Sequence, residues 1–161
     1  SDGKSITING TATATNVTGG RLRDLASLPN IIHDIASPGM TVTFDNGTQR
    51  SWQVAKRRTF TYGNGINIST VGTHTDGTTT GISEWGTNRI GTAFVTQITQ
   101  PMLISQDCSF RLIDGEVKHR RIAGKVVVTF GCVYTLNPTT CPTGNSYMNN
   151  YWRKAKGVVK T

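Results

Sequence analysis

The strongest constraint on this chain is an alternation of period two, broken about every 10–15 residues by glycine-containing turns. Ser5 to Thr15 reads SITINGTATAT, which sets Ile6, Ile8, Gly10, Ala12 and Ala14 on one face and threonines mostly on the other. Ile31 to Ile35 reads as a short apolar strand. Met40 to Phe44 leads into Asp45-Asn46-Gly47, whose Asn-Gly suits a type I′ hairpin. The returning strand, Thr48 to Tyr62, carries Trp52 and Val54, then Lys56 and Arg58, then Phe60 and Tyr62 on one face. Charge in the middle of a face that is apolar at both ends predicts a face-swapping bulge or a strand projecting beyond the core.

Turns at Gly63-Asn64-Gly65, Asp76-Gly77, Asp114-Gly115 and Gly124, with breaks at Gly91 and Pro101, separate the strands that follow, among them Met102 to Ile113 with Cys108, Phe110 and Leu112 on one face. A loop at Asn137-Pro138 and Cys141-Pro142 precedes a last hairpin, Tyr147 to Lys154 with Gly157 to Lys160. The helical signal is confined to one turn near Arg21 to Leu28. Strands joined by tight turns must be antiparallel. The expectation is therefore an all-β antiparallel meander of long strands, arranged as a β-sandwich, an open barrel or an elongated twisted sheet. The 26 threonines against few Glu and Leu point the same way. At 161 residues the chain is one domain's length, spanning 1–161. Apolar runs such as Val126-Val127-Val128 fall far short of the ~20 residues of a membrane helix.

Seventeen Lys and Arg against nine Asp and Glu give +8. Such a surface attracts polyanions, or else keeps a β-rich chain soluble and blunts its strand edges. The charges are dispersed, clustering only at Lys56-Arg57-Arg58, His119-Arg120-Arg121 and the basic tail, so a nucleic-acid partner is disfavoured. Cys108, Cys132 and Cys141 have no zinc-ligand spacing. One disulfide plus one free thiol is the simplest reading and places the chain in an oxidising, extracytoplasmic compartment. A secretory signal would precede Ser1 and be removed.

Catalytic chemistry finds little footing. Asp45, Asp76 and Asp114 occupy expected turns, and no carboxylate spacing suggests a glycosidase pair. His74 and Asp76 offer a base with an orienting partner, but no nucleophile motif accompanies them. His33 and His119 are isolated and read as structural. No phosphate loop or metal motif occurs, so neither cofactor nor metal is expected and the chain reads as non-enzymatic.

Binding has two candidates. Trp85, flanked by polar residues and glycine, either packs in the core or at an edge, or stacks on a sugar ring or a base, and a glycan site would use it with basic residues such as Arg57 and Arg89. Trp52 and Trp152 are assigned to the core. The terminal strand within residues 1–18 either closes its own sheet or exchanges onto a neighbouring subunit's edge.

Several segments together carry a resemblance. They are Val42-Thr43-Phe44-Asp45-Asn46-Gly47-Thr48-Gln49-Arg50-Ser51-Trp52, Arg58-Thr59-Phe60-Thr61-Tyr62 leading to Gly72-Thr73-His74-Thr75-Asp76-Gly77, and Glu84-Trp85-Gly86-Thr87-Asn88-Arg89. Ile98-Thr99-Gln100-Pro101 and Gln106-Asp107-Cys108-Ser109-Phe110-Arg111 complete the set. Across residues 5–155 the chain resembles secreted or lipid-anchored, threonine-rich β-proteins of Bacteroidetes bacteria, a family without an assigned activity. Its aromatic Pro-Tyr finish is replaced here by Lys156 to Thr161. The resemblance implies a disulfide between Cys108 and Cys141, with Cys132 left over, and an extracellular or outer-surface location. The resulting expectation is a structural or adhesive β-protein whose partner is itself, as a homo-oligomer, filament or surface layer. The alternative is a glycan-binding module for polysaccharide. Membrane contact would come only through a lipid anchor.

Overall fold

The computed structural model describes residues 4–123, 126–135 and 141. Among the described residues nine strands form one antiparallel sheet: β1 (Ile6–Asn16), β2 (Ile31–Phe44), β3 (Gln49–Tyr62), β4 (Ile66–Gly72), β5 (His74–Asp76), β6 (Thr79–Thr87), β7 (Ala93–Ser105), β8 (Arg111–Ala123) and β9 (Val126–Thr135). The expected all-β antiparallel class is what the chain adopts. The final hairpin expected after Tyr147 lies outside the described residues, as does Trp152.

The path is a meander with one insertion. β1 pairs β2, β2 pairs β3, β7 pairs β8 and β8 pairs β9. Between β3 and β7 lie two shorter strands. β4 faces the C-terminal half of β3, and β6 faces Trp52 to Val54 in its N-terminal half. β7 covers both on its other side, so β3, β4, β7 and β6 pair in a small closed ring. The β5–β6 hairpin is the excursion that separates β4 from β6.

Register assigns the faces. Trp52, Val54, Lys56 and Phe60 of β3 share a face with Ile31 and Val42 of β2, Ile68 of β4, Glu84 of β6, Phe94 of β7 and Leu112 of β8. Nearly every buried apolar strand residue lies there, making it the inner face. At one end a 3₁₀ segment, Leu22–Ser27, lays Leu25 on Ile31 and Phe60, with Leu28, Ile66 and Ile68 around them. This is the single helical turn read from the sequence.

Four local expectations are corrected. The segments 31–35 and 40–44 are one strand, because Pro38 and Gly39 sit in a bulge where a missing N–H is tolerated. The buried Ser37 hydroxyl there donates to the Thr11 carbonyl at 2.7 Å. The 45–47 turn is not type I′, since Gly47 (φ 76°) takes a positive φ and Asn46 does not. Phe44 N–H bonds Thr48 and Gly47 N–H bonds Phe44, each at 2.9 Å, as in a three-residue loop with a left-handed glycine.

Pro101 and Asp114-Gly115 do not end strands. They lie opposite each other in a register shift between β7 and β8. Gly115 (φ 133°) is needed there, since a Cβ would stand 2.8 Å from the Met102 Cα. Finally, 106–108 is a 3₁₀ turn followed by left-handed Ser109 and Phe110, so Cys108 and Phe110 do not alternate along a strand. That turn positions Cys108 for its disulfide to Cys141, with Cα atoms 5.1 Å apart.

Candidate functional site

Two features stand out, one at the sheet edge and one on the inner face. β1 is the outer strand of its end of the sheet, paired only to β2 among the described residues. All eleven of its residues are exposed, and ITINGTATATN contains neither charge nor proline. Ile6 and Ile8 are 62% and 58% exposed. Natural edges of this length are usually blunted by lysine, proline or short strands. Gly10 is spoken for, however: a Cβ would lie 2.5 Å from the Gly39 carbonyl oxygen, so its small size serves the chain's own β2.

The inner face holds a polar cluster where the β3 pattern placed charge. Lys56 is neither bulged out nor projecting beyond the core. Its ammonium meets the Glu84 carboxylate, which also accepts a hydrogen bond from the Trp52 indole N–H at 3.3 Å. The two side chains are 21% and 25% exposed. The Arg50 guanidinium lies 5.5 Å from the Trp52 ring centre and 5.6 Å from that of Phe94. His119 stacks on Phe94 at 5.4 Å, and its Nδ1 is 2.9 Å from the Thr96 hydroxyl. Burial holds the His119 pKa below its ordinary value, helped by the Arg121 charge and opposed by Glu84.

These groups line a cleft of about 290 Å³ that includes Arg50, Glu84, Asn88, Phe94, His119 and Arg121. A second cleft of about 340 Å³ shares Glu84 and Thr96 with it and continues between Ile98, Met102, Ile104, Leu112 and Val117. Together they form a trough, basic at one end and aliphatic at the other.

The residues singled out from the sequence fall elsewhere. Trp85 is on the outer face, with the His74 ring stacked on it at 4.0 Å and 14°. His74 therefore packs on an indole. Arg57, also on the outer face, makes a two-pronged pair with Asp34, both contacts 2.7 Å. Trp85 pairs with Gln53, four residues from Arg57 along β3, which is about 13 Å. The Arg89 guanidinium lies 4.0 Å from the ring centre of Phe44, an inner-face residue. The three do not converge. Among the described residues no group of three or more His, Cys, Asp or Glu is placed to hold a metal, and no helix is long and apolar enough to cross a membrane.

Sequence reasoning missed the trough. Its one legible sign was charge, at Lys56 and Arg58, in the middle of a face apolar at both ends, while Arg50, Glu84 and His119 come together only through the β3–β6–β7–β8 pairings. No protein-family profile, no curated protein and no solved structure matches this chain.

Proposed function

We propose that this protein is a non-enzymatic, extracellular structural or adhesive β-protein that associates with further copies of itself through the β1 edge. The observation that carries the reading is that eleven-residue, uncharged edge strand, exposed at every residue. Its outward backbone groups, and Ile6 and Ile8 beside them, are what a second sheet edge requires. The Cys108–Cys141 disulfide supports an oxidising location, as does the resemblance to secreted and lipid-anchored threonine-rich β-proteins.

Negative-stain microscopy at high protein concentration tests the reading. Wild-type protein should form ribbons or discrete oligomers, and Ile8→Lys, which sets a charge on the exposed edge, should abolish them. Ribbons that persist unchanged in Ile8→Lys would rule out β1 as the contact.

A further inference from the structure

We propose that the inner-face trough is a binding site for an anionic amphiphile, specifically an unbranched alkyl carboxylate. Its head would sit between Arg50 and Arg121 and its chain would lie along Ile98, Met102, Ile104 and Leu112. The proposal is independent of the edge-association reading, because no residue of β1 lines the trough.

Charge gives the sign of the ligand. Glu84 is the one carboxylate among the lining residues, and Lys56 and the Trp52 N–H already engage it. With His119 held toward its neutral form, Arg50 and Arg121 have no carboxylate partner among the described residues and leave one end positive. A carboxylate is the acceptor whose geometry matches a guanidinium.

Lining chemistry identifies the body of the ligand. The continuing cleft has an apolar wall of Ile98, Met102, Ile104, Leu112 and Val117, beside the Lys56–Glu84 pair and the neutral Thr70, Ser83 and Thr96. A sugar would call for aromatic platforms and several hydrogen-bonding groups, whereas a methylene chain calls only for apolar surface. The two cleft volumes suit a small molecule and are too small for a folded partner.

Isothermal titration of the intact protein with acetate, hexanoate, octanoate and decanoate, each below its micelle concentration, tests the assignment. Affinity should rise about two- to fourfold with each added methylene, the upper value corresponding to full burial. Arg50→Gln combined with Arg121→Gln should weaken decanoate at least tenfold while leaving a neutral decyl glucoside unchanged. Thr15→Lys, on the outer face opposite Asp34, should bind decanoate as wild type does.

Three results would overturn the proposal. One is affinity that does not depend on chain length, as for a general oxyanion site that takes glucuronate equally well. Another is decanoate binding that survives both arginine changes, as for adsorption on exposed apolar surface. The third is no binding at millimolar decanoate. Should the double variant fail to fold, Arg121→Gln alone takes its place, with the same expected selective loss of decanoate over decyl glucoside.

Discussion

Replacing Glu84 by Gln should destabilise the protein by about 2 kcal/mol, through the charge it leaves behind on Lys56. Breaking a fully buried ion pair by removing one partner costs about 3–5 kcal/mol, while exposed pairs are worth about 0–1 kcal/mol. With side chains 21% and 25% exposed, Lys56 and Glu84 fall between these limits. Gln retains an acceptor for the Trp52 indole, so the loss reports mainly the stranded ammonium. For a chain of this length, about 2 kcal/mol corresponds to a fall in Tm of about 4–8 °C. Lys56→Met relieves the stranded charge, so the double variant Lys56→Met/Glu84→Gln should be more stable than the sum of the single changes predicts. The coupling, measured by urea denaturation at pH 7, should be about 1–2 kcal/mol. Single effects that add to within about 0.5 kcal/mol would refute the argument, because independent sites behave that way.

Further outcomes follow from other contacts. Reducing the Cys108–Cys141 disulfide, or Cys108→Ser, should cost about 3–4 kcal/mol on the loop-entropy estimate for a separation of 33 residues; thermal melts with and without reductant check it. His119 has a native pKa below that of the unfolded chain, which titrates near about 6.5. Unfolded protein therefore takes up this proton first as pH falls through that value, and stability declines until native His119 is protonated too. Above that window the group contributes no slope. His119→Asn should flatten this part of a Tm-against-pH profile between about pH 7.5 and 5.5, and an unchanged profile would show that burial does not govern the site. Gly10→Ala should loosen the middle of β1 from β2 and speed amide exchange in β1 above all, since its Cβ would meet the Gly39 carbonyl at 2.5 Å.

Elements whose signals are local were legible in the sequence. Alternation located β1 and β3, and the single turn near Arg21 to Leu28 appeared as the Leu22–Ser27 segment that caps Ile31 and Phe60. Two of the misreadings share a cause: the gap between Ile35 and Met40, and Pro101 with Gly115, look like strand ends when each segment is taken alone. Paired across strands, they are bulges, and a bulge depends on what lies opposite, which a single segment does not reveal. The site was harder for the same reason. Arg50, Glu84 and His119 are separated by 34 and 35 positions along the chain. Their meeting requires that β6 return beside β3 after the β5 excursion. Lys56 marked the place without naming its partner. Trp85 drew attention because its neighbours are polar, yet pairing brought His74 onto its ring.

Self-association through β1 is tested most directly by sedimentation velocity across a wide concentration range, comparing wild type with Ala14→Pro. The Val17 N–H donates to the Ile32 carbonyl at 2.7 Å. By alternation the amides of Thr15 and Thr13 also turn toward β2 and that of Ala14 turns away. Proline at position 14 thus removes an outward donor while sparing the β1–β2 ladder. Wild type should sediment as species that grow with concentration, and Ala14→Pro should stay at the 17.4 kDa monomer. A wild-type chain that remains monomeric up to millimolar concentration would contradict the account.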